Sequence, residues 1–150
     1  MKKSQSVILL FMIFLAGTTW AQESIGSSLL ERMIIIKLMK TEEFYKEGYL
    51  AYQAKDFDNT IQCFKKAIAL NPNLVKAHYY LGLTYIEKNL NSAASDHLYK
   101  AGLLSLKQGD RDSALKAYNA LKLTKSKELE QAFSSKLLPE LKQKKSEQSE

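Results

Sequence analysis

Between Asp56 and Pro72 the chain reads DFDNTIQCFKKAIALNP, with apolar positions at Ile61, Phe64, Ala67, Ile68 and Leu70. That spacing marks one face of an α-helix. Asp56 and Asp58 stand ahead of the stripe as N-cap candidates. Pro72 closes it, because proline has no backbone N–H to continue the ladder. A helix this short is marginal alone in water, so its stripe needs a partner. Two further stripes flank this region. Leu29, Leu30, Met33, Ile34, Ile36 and Leu38 come after a Ser28-x-x-Glu31 capping-box signal and are apolar nearly all round. This stretch is expected to be covered, as a half-unit packed on the first helical pair. Leu129, Ala132, Phe133, Leu137 and Leu138 predict a closing helix.

Self-similarity supplies the partner. FYKEGYLAYQAKDFDNTIQCFKKA begins at Phe44 and HYYLGLTYIEKNLNSAASDHLYKA at His78, a displacement of 34 residues. In this register Phe44 matches His78, Tyr45 matches Tyr79, Gly48 matches Gly82, Phe64 matches Leu98 and Ala67 matches Ala101. A 34-residue period with two helical stripes predicts stacked helix-turn-helix units that bury one another's faces. A mid-helix glycine costs up to ~1 kcal/mol, so Gly48 and Gly82 call for a close helix neighbour. A third echo, YKAGLLSLKQGDRDSALKAYNAL, places Gly102 only 20 residues after Gly82. One helix is missing from that echo, and the helix from about Ser92 to Gln108 is read as closing one unit and opening the next.

These residues resemble the tetratricopeptide repeat, whose pattern is an aromatic, Leu-Gly, Tyr, a small residue, an aromatic and Pro. The first unit supplies Phe44, Gly48, Phe64, Ala67 and Pro72, and departs at Glu47, Ala51 and Thr60. The second supplies Leu81, Gly82, Tyr85, Ala94 and Ala101, with His78 at the first aromatic and Leu98 at the later one. The resemblance implies an all-α, right-handed α-solenoid of about 2.5–3 repeats plus capping helices. The expected organisation is a leader over 1–21, a capping helix or half-repeat over 26–40, repeat 1 over 41–74 and repeat 2 over 75–108. A partial repeat 3 over 95–124 shares a helix with repeat 2. A C-terminal cap over 125–141 and a disordered tail over 142–150 complete it.

The first 21 residues are of another kind. Lys2 and Lys3 precede the apolar run Val7–Ala16, and Thr19-Trp20-Ala21 ends in a small residue. This is the pattern of a secretory signal peptide cut after Ala21. The run is about half the ~20 residues of a spanning helix. Export to a periplasm is the expected localisation, with secretion as the alternative. Losing the leader lowers the net charge from +6 to +4. Seven lysines fall between residues 122 and 145, spread out and without interleaved aromatics. They read as a solvated face, with weak contact to an anionic surface as a lesser role. The single Cys63 excludes an internal disulfide framework and sits in the apolar repeat of its helix.

Little in the sequence suggests catalysis. His78 and His97 are the only histidines. No metal-ligand cluster, phosphate-cradling loop or nucleophile motif occurs, so no enzyme, metal or cofactor is expected. Binding has more to draw on. Tyr45, Tyr49 and Tyr52 lie at i, i+4 and i+7 on one helix face, and their 34-residue equivalents are Tyr79, Leu83 and Ile86. In the resembled family the first helices of successive units line the concave, ligand-facing surface. These six residues are therefore the candidate peptide site. Phe44, Gly48, Phe64, Ala67, Leu81, Gly82, Tyr85, Ala94, Leu98 and Ala101 form the candidate packing set. The competing role for the tyrosines, Tyr49 above all, is to seal helix joints. A branch of the family grips peptide carboxylates with Lys and Asn at places held here by Tyr45, Tyr49 and Leu83, so that clamp is absent. The implied partner is a protein or peptide segment, apolar or aromatic rather than an acidic chain end. Nucleic acid is not expected. The competing class is a structural subunit or a self-associating repeat protein.

Overall fold

The helix read from Asp56 begins with its cap in place. In the computed structural model, Asp56 Oδ1 accepts a hydrogen bond from the Asn59 N–H at 3.2 Å, satisfying one orphan donor of the first turn. The structure describes the backbone of residues 3–147 and the side chains of residues 28–137 and 139. The regular structure over these residues is helical: α1 (Lys3–Gln53), α2 (Phe57–Leu70), α3 (Val75–Glu87), α4 (Asn91–Lys107), α5 (Arg111–Leu123) and α6 (Lys127–Glu147). The chain divides into two compact units, Met1–Met39 and Lys40–Glu150.

Short turns fold the second unit into consecutive antiparallel helices. Four of them place one residue in the left-handed region: Lys55 (φ 58), Asn89 (φ 57), Gly109 (φ 73) and Lys125 (φ 59). A left-handed residue just past a helix end is a common stop signal, and glycine adopts it without a Cβ penalty. Asp110 repeats the device of Asp56 at the start of α5, accepting from the Ser113 N–H at 3.0 Å. The Ser113 side chain first, and this backbone bond next, hold the Asp110 carboxyl below its ordinary pKa.

Two apolar clusters hold the unit together. Phe64 and Ala67 of α2, Ala77, Leu81 and Tyr85 of α3, and Ala94 of α4 form the first. Leu98 of α4, Ala114, Ala120 and Leu121 of α5, and Phe133 and Leu137 of α6 form the second. Each large side chain fully buried in this way contributes about 1.5–3 kcal/mol. Departures from the repeat pattern are accommodated locally. Thr60, where a small residue is usual, is fully buried and its hydroxyl donates to the Asp56 carbonyl at 2.7 Å. Ala51, where Tyr is usual, is buried too. Glu47 stays exposed, with its carboxylate 3.8 Å from the Cys63 thiol.

Two expectations change. The stretch from Leu29 to Met39 is part of the continuous α1, and its large apolar side chains are 50–67% exposed. Gly102 of α4 faces α6, where a Cβ on the glycine would run into the Phe133 ring. Finally, α6 continues to Glu147 through a stretch expected to be a disordered tail. Its Lys, Glu and Gln residues are good helix formers. The leader expected over 1–21 and the side chain of Leu138 lie outside the described side chains, and the last three residues of the tail lie outside the described backbone. Among the described residues no helix is long and apolar enough to cross a membrane.

Candidate functional site

Helix periodicity turns Gly48 of α1 toward α2, where a Cβ built on the glycine would lie only 3.0–3.2 Å from the side chains of Phe64 and Cys63. Tyr49, the next residue, turns toward α3 and meets Tyr80 edge-on at 5.1 Å. One turn earlier, Tyr45 stacks with Tyr49 at a centroid distance of 6.4 Å. Tyr52 lies 5.4 Å from Tyr80, and Tyr79 lies edge-on to Tyr80 at 5.5 Å. Offset and edge-on pairs of this kind suit the charge distribution of aromatic rings. Tyr80 is the hub, since it also stacks on the buried Phe64 at 6.0 Å.

An open groove of about 280 Å³ lies over this floor, lined by Tyr45, Tyr49, Tyr79, Tyr80, Lys76 and Lys116 with smaller side chains between them. It continues past Tyr49 and Tyr80 to Tyr52, Phe57 and Glu87. At the other end it runs past Tyr45 and Lys76 to Asn71, Asn73 and Asp110. Burial raises the Tyr45 and Tyr52 phenols above their ordinary pKa. Burial, then the neighbouring Tyr49 and Tyr45, push Tyr80 up to about 12. These three phenols are therefore neutral at physiological pH. The surface offers aromatic faces, neutral hydroxyls and two ammonium groups at its rim.

Of the six residues expected from the sequence, Tyr45, Tyr49, Tyr52 and Tyr79 line this groove. Leu83 and Ile86 do not. Both pack against the second apolar cluster, Ile86 touching the first as well. Tyr80, Lys76, Lys116 and Ser113 belong to the groove and are missed by the sequence reading. Tyr80 is visible as the second ring of the Tyr79-Tyr80 pair, but the 34-residue register matches it to Lys46 and gives no aromatic echo. In the packing set every residue except Phe44 is buried. Phe44 is half-buried, with the Lys66 ammonium 5.2 Å over its ring.

The other chemistry-bearing groups sit away from the groove. Burial first, and the Glu47 carboxylate next, raise the Cys63 thiol pKa, so it is held as the unreactive thiol. His78 and His97, distant in sequence, meet at 3.0 Å between their Nδ1 atoms. No group of three or more His, Cys, Asp or Glu among the described residues is placed to hold a metal ion. Two of the C-terminal lysines lie against rings: Lys122 is 5.6 Å from the Tyr118 centroid and Lys136 is 5.8 Å from that of Tyr99.

Antiparallel helices in short-turn succession, glycines closed by facing helices and a ring-lined groove on one side define a helical-repeat solenoid. Residues 48–89 match the family model described as TPR repeat, so this segment is similar to a tetratricopeptide repeat. The match runs from Gly48 in α1 to the turn after α3, across the first apolar cluster. No curated protein matches the chain. Tetratricopeptide repeats in general mediate protein–protein interaction, and the family is typically non-enzymatic.

Proposed function

We propose that this protein is a non-enzymatic scaffold or adaptor of the cell envelope that holds a protein or peptide segment in its tyrosine-lined groove. The observation that carries the reading is the convergence of Tyr45, Tyr49, Tyr79 and Tyr80 on one open groove, with their rings only half-buried. Tyrosine supplies large rigid contact area and a polar tip with few rotatable bonds, and is enriched among binding hot spots. The fitting occupant is a segment carrying apolar or aromatic side chains. The exported location rests on the leader-like pattern of residues 1–21.

The test is capture. Tyr45→Ala with Tyr79→Ala should abolish crosslinked pull-down of the wild-type partner from the envelope fraction, while circular dichroism stays helical. Retention of the partner by a folded double variant would refute the groove. Insensitivity of the capture to salt separates the groove from the C-terminal lysines, whose contribution would fall steeply as salt rises.

A second reading is self-association, favoured by the exposed apolar stretch from Leu29 to Met39. An apolar patch this extended is uncommon on a free surface. Light scattering distinguishes the two: a concentration-dependent dimer abolished by Ile34→Glu supports self-association, and a monomer at every concentration rejects it.

A further inference from the structure

The groove leaves the two histidines unused, and they form a unit of their own. His78 is 6% exposed, at the position where the first unit carries Phe44. Its Nε2 lies 3.0 Å from the carbonyl oxygen of Pro72, in the chain leaving α2. A carbonyl can only accept, so His78 Nε2 carries the hydrogen. In the neutral ring Nδ1 is then a bare acceptor. It lies 3.0 Å from Nδ1 of His97 on α4, so His97 donates from Nδ1. The chain Pro72 carbonyl, His78, His97 thus ties the end of α2 to α3 and α4 through two hydrogen bonds with fixed tautomers. Tyr85 of α3 stacks on the His97 ring at 5.7 Å and closes the third side.

We propose that the His78–His97 pair is an acid-released latch on the joint where α2, α3 and α4 meet. The geometry accepts at most one further proton. Added at His97 Nε2, it leaves the Nδ1–H to Nδ1 bond intact. A second, at His78 Nδ1, sets two N–H donors face to face at a distance that requires one acceptor. The charges facing the pair do not help. Lys65 of α2 and Lys100 of α4 oppose an imidazolium, and Asp96 of α4 favours one. Burial is the largest effect at both rings. It lowers His78, against the raising effect of its bond to Pro72, and lowers His97 to about 4 with His78 as the next cause.

The sign follows from linkage. The unfolded chain takes up protons on both rings around pH 6.5, whereas the folded chain resists them. The latch therefore contributes its full stability above about pH 6.5 and loses it as pH falls from there toward about 4. Tyr79 and Tyr80 follow His78 directly on α3, so loosening this joint also loosens the groove wall. That consequence rests on the binding function proposed above; the latch does not.

The experiment is urea unfolding of the full chain at about pH 7.5 and about pH 5.5, for wild type, His97→Asn and His78→Phe with His97→Phe. Each proton taken up on unfolding raises the unfolding constant by up to about tenfold per pH unit. Wild type should lose stability between the two conditions, and the variants should lose clearly less. Imidazole nitrogen NMR of the wild type needs no variant to fold. It should show His78 as the Nε2–H tautomer and His97 as the Nδ1–H tautomer at about pH 6. Equal pH responses in wild type and variants would overturn the latch. So would folded-state midpoints near 6.5 for both rings.

Discussion

Gly82 lies directly against Leu98: a Cβ built on the glycine would sit 2.6 Å from Leu98 Cγ and 3.3 Å from the Ala94 carbonyl oxygen. This contact joins α3 to α4 and is the physical reason for a glycine in mid-helix. Leu98 and Ala94 are both fully buried in the two apolar clusters, so neither has room to yield. Gly82→Leu is expected to destabilise the fold by about 1–3 kcal/mol through overpacking. The exposed Gln62→Ala on α2 should stay within about half a kcal/mol. Chemical denaturation of the two variants checks this, and equal midpoints would mean that Gly82 is not at a helix joint.

The cap of α2 gives a second expectation. Asp56 satisfies the Asn59 N–H, and its own carbonyl accepts from the buried Thr60 hydroxyl. Asp56→Ala keeps the carbonyl and removes only the cap, at a cost of about 1 kcal/mol. Asp56→Asn retains an acceptor oxygen and should recover most of it. Thermal unfolding of the three proteins reads the difference. No loss in the alanine variant would mean that packing alone sets the start of α2.

Export is tested at the N-terminus. With the leader cleaved after Ala21, protein recovered from the native envelope should begin at Gln22. Intact-mass spectrometry measures this directly. A chain starting at Met1 in the cytoplasm would end the envelope assignment and leave the groove untouched.

The repeat is legible in the sequence because its packing depends on residues that leave a mark there. Gly48 and Gly82 recur 34 residues apart because Phe64 and Leu98 occupy the space their side chains would need. The floor of the groove is legible in part, through Tyr45, Tyr49, Tyr52 and Tyr79 at helical spacing. Leu83 and Ile86 follow only by equivalence with Tyr49 and Tyr52. On α3, however, that face packs against the second cluster, built from α4, α5 and α6, so equivalent positions acquire different neighbours. Tyr80, Lys76 and Lys116 come together only when α1, α3 and α5 are brought alongside one another. The histidine pair is hidden for the same reason. Asp96 is the charged neighbour of His97 along the chain, while the ring that meets His97 lies on the preceding helix.

That the tyrosine groove receives a polypeptide is tested most directly by site-specific photo-crosslinking in intact cells. A benzophenone amino acid in place of Tyr79 sits in the groove, and one in place of Gln62 sits on the exposed side of α2. The expected result is a discrete protein adduct from position 79 and none from position 62. Adducts of equal strength at both positions, or at position 62 alone, would contradict it.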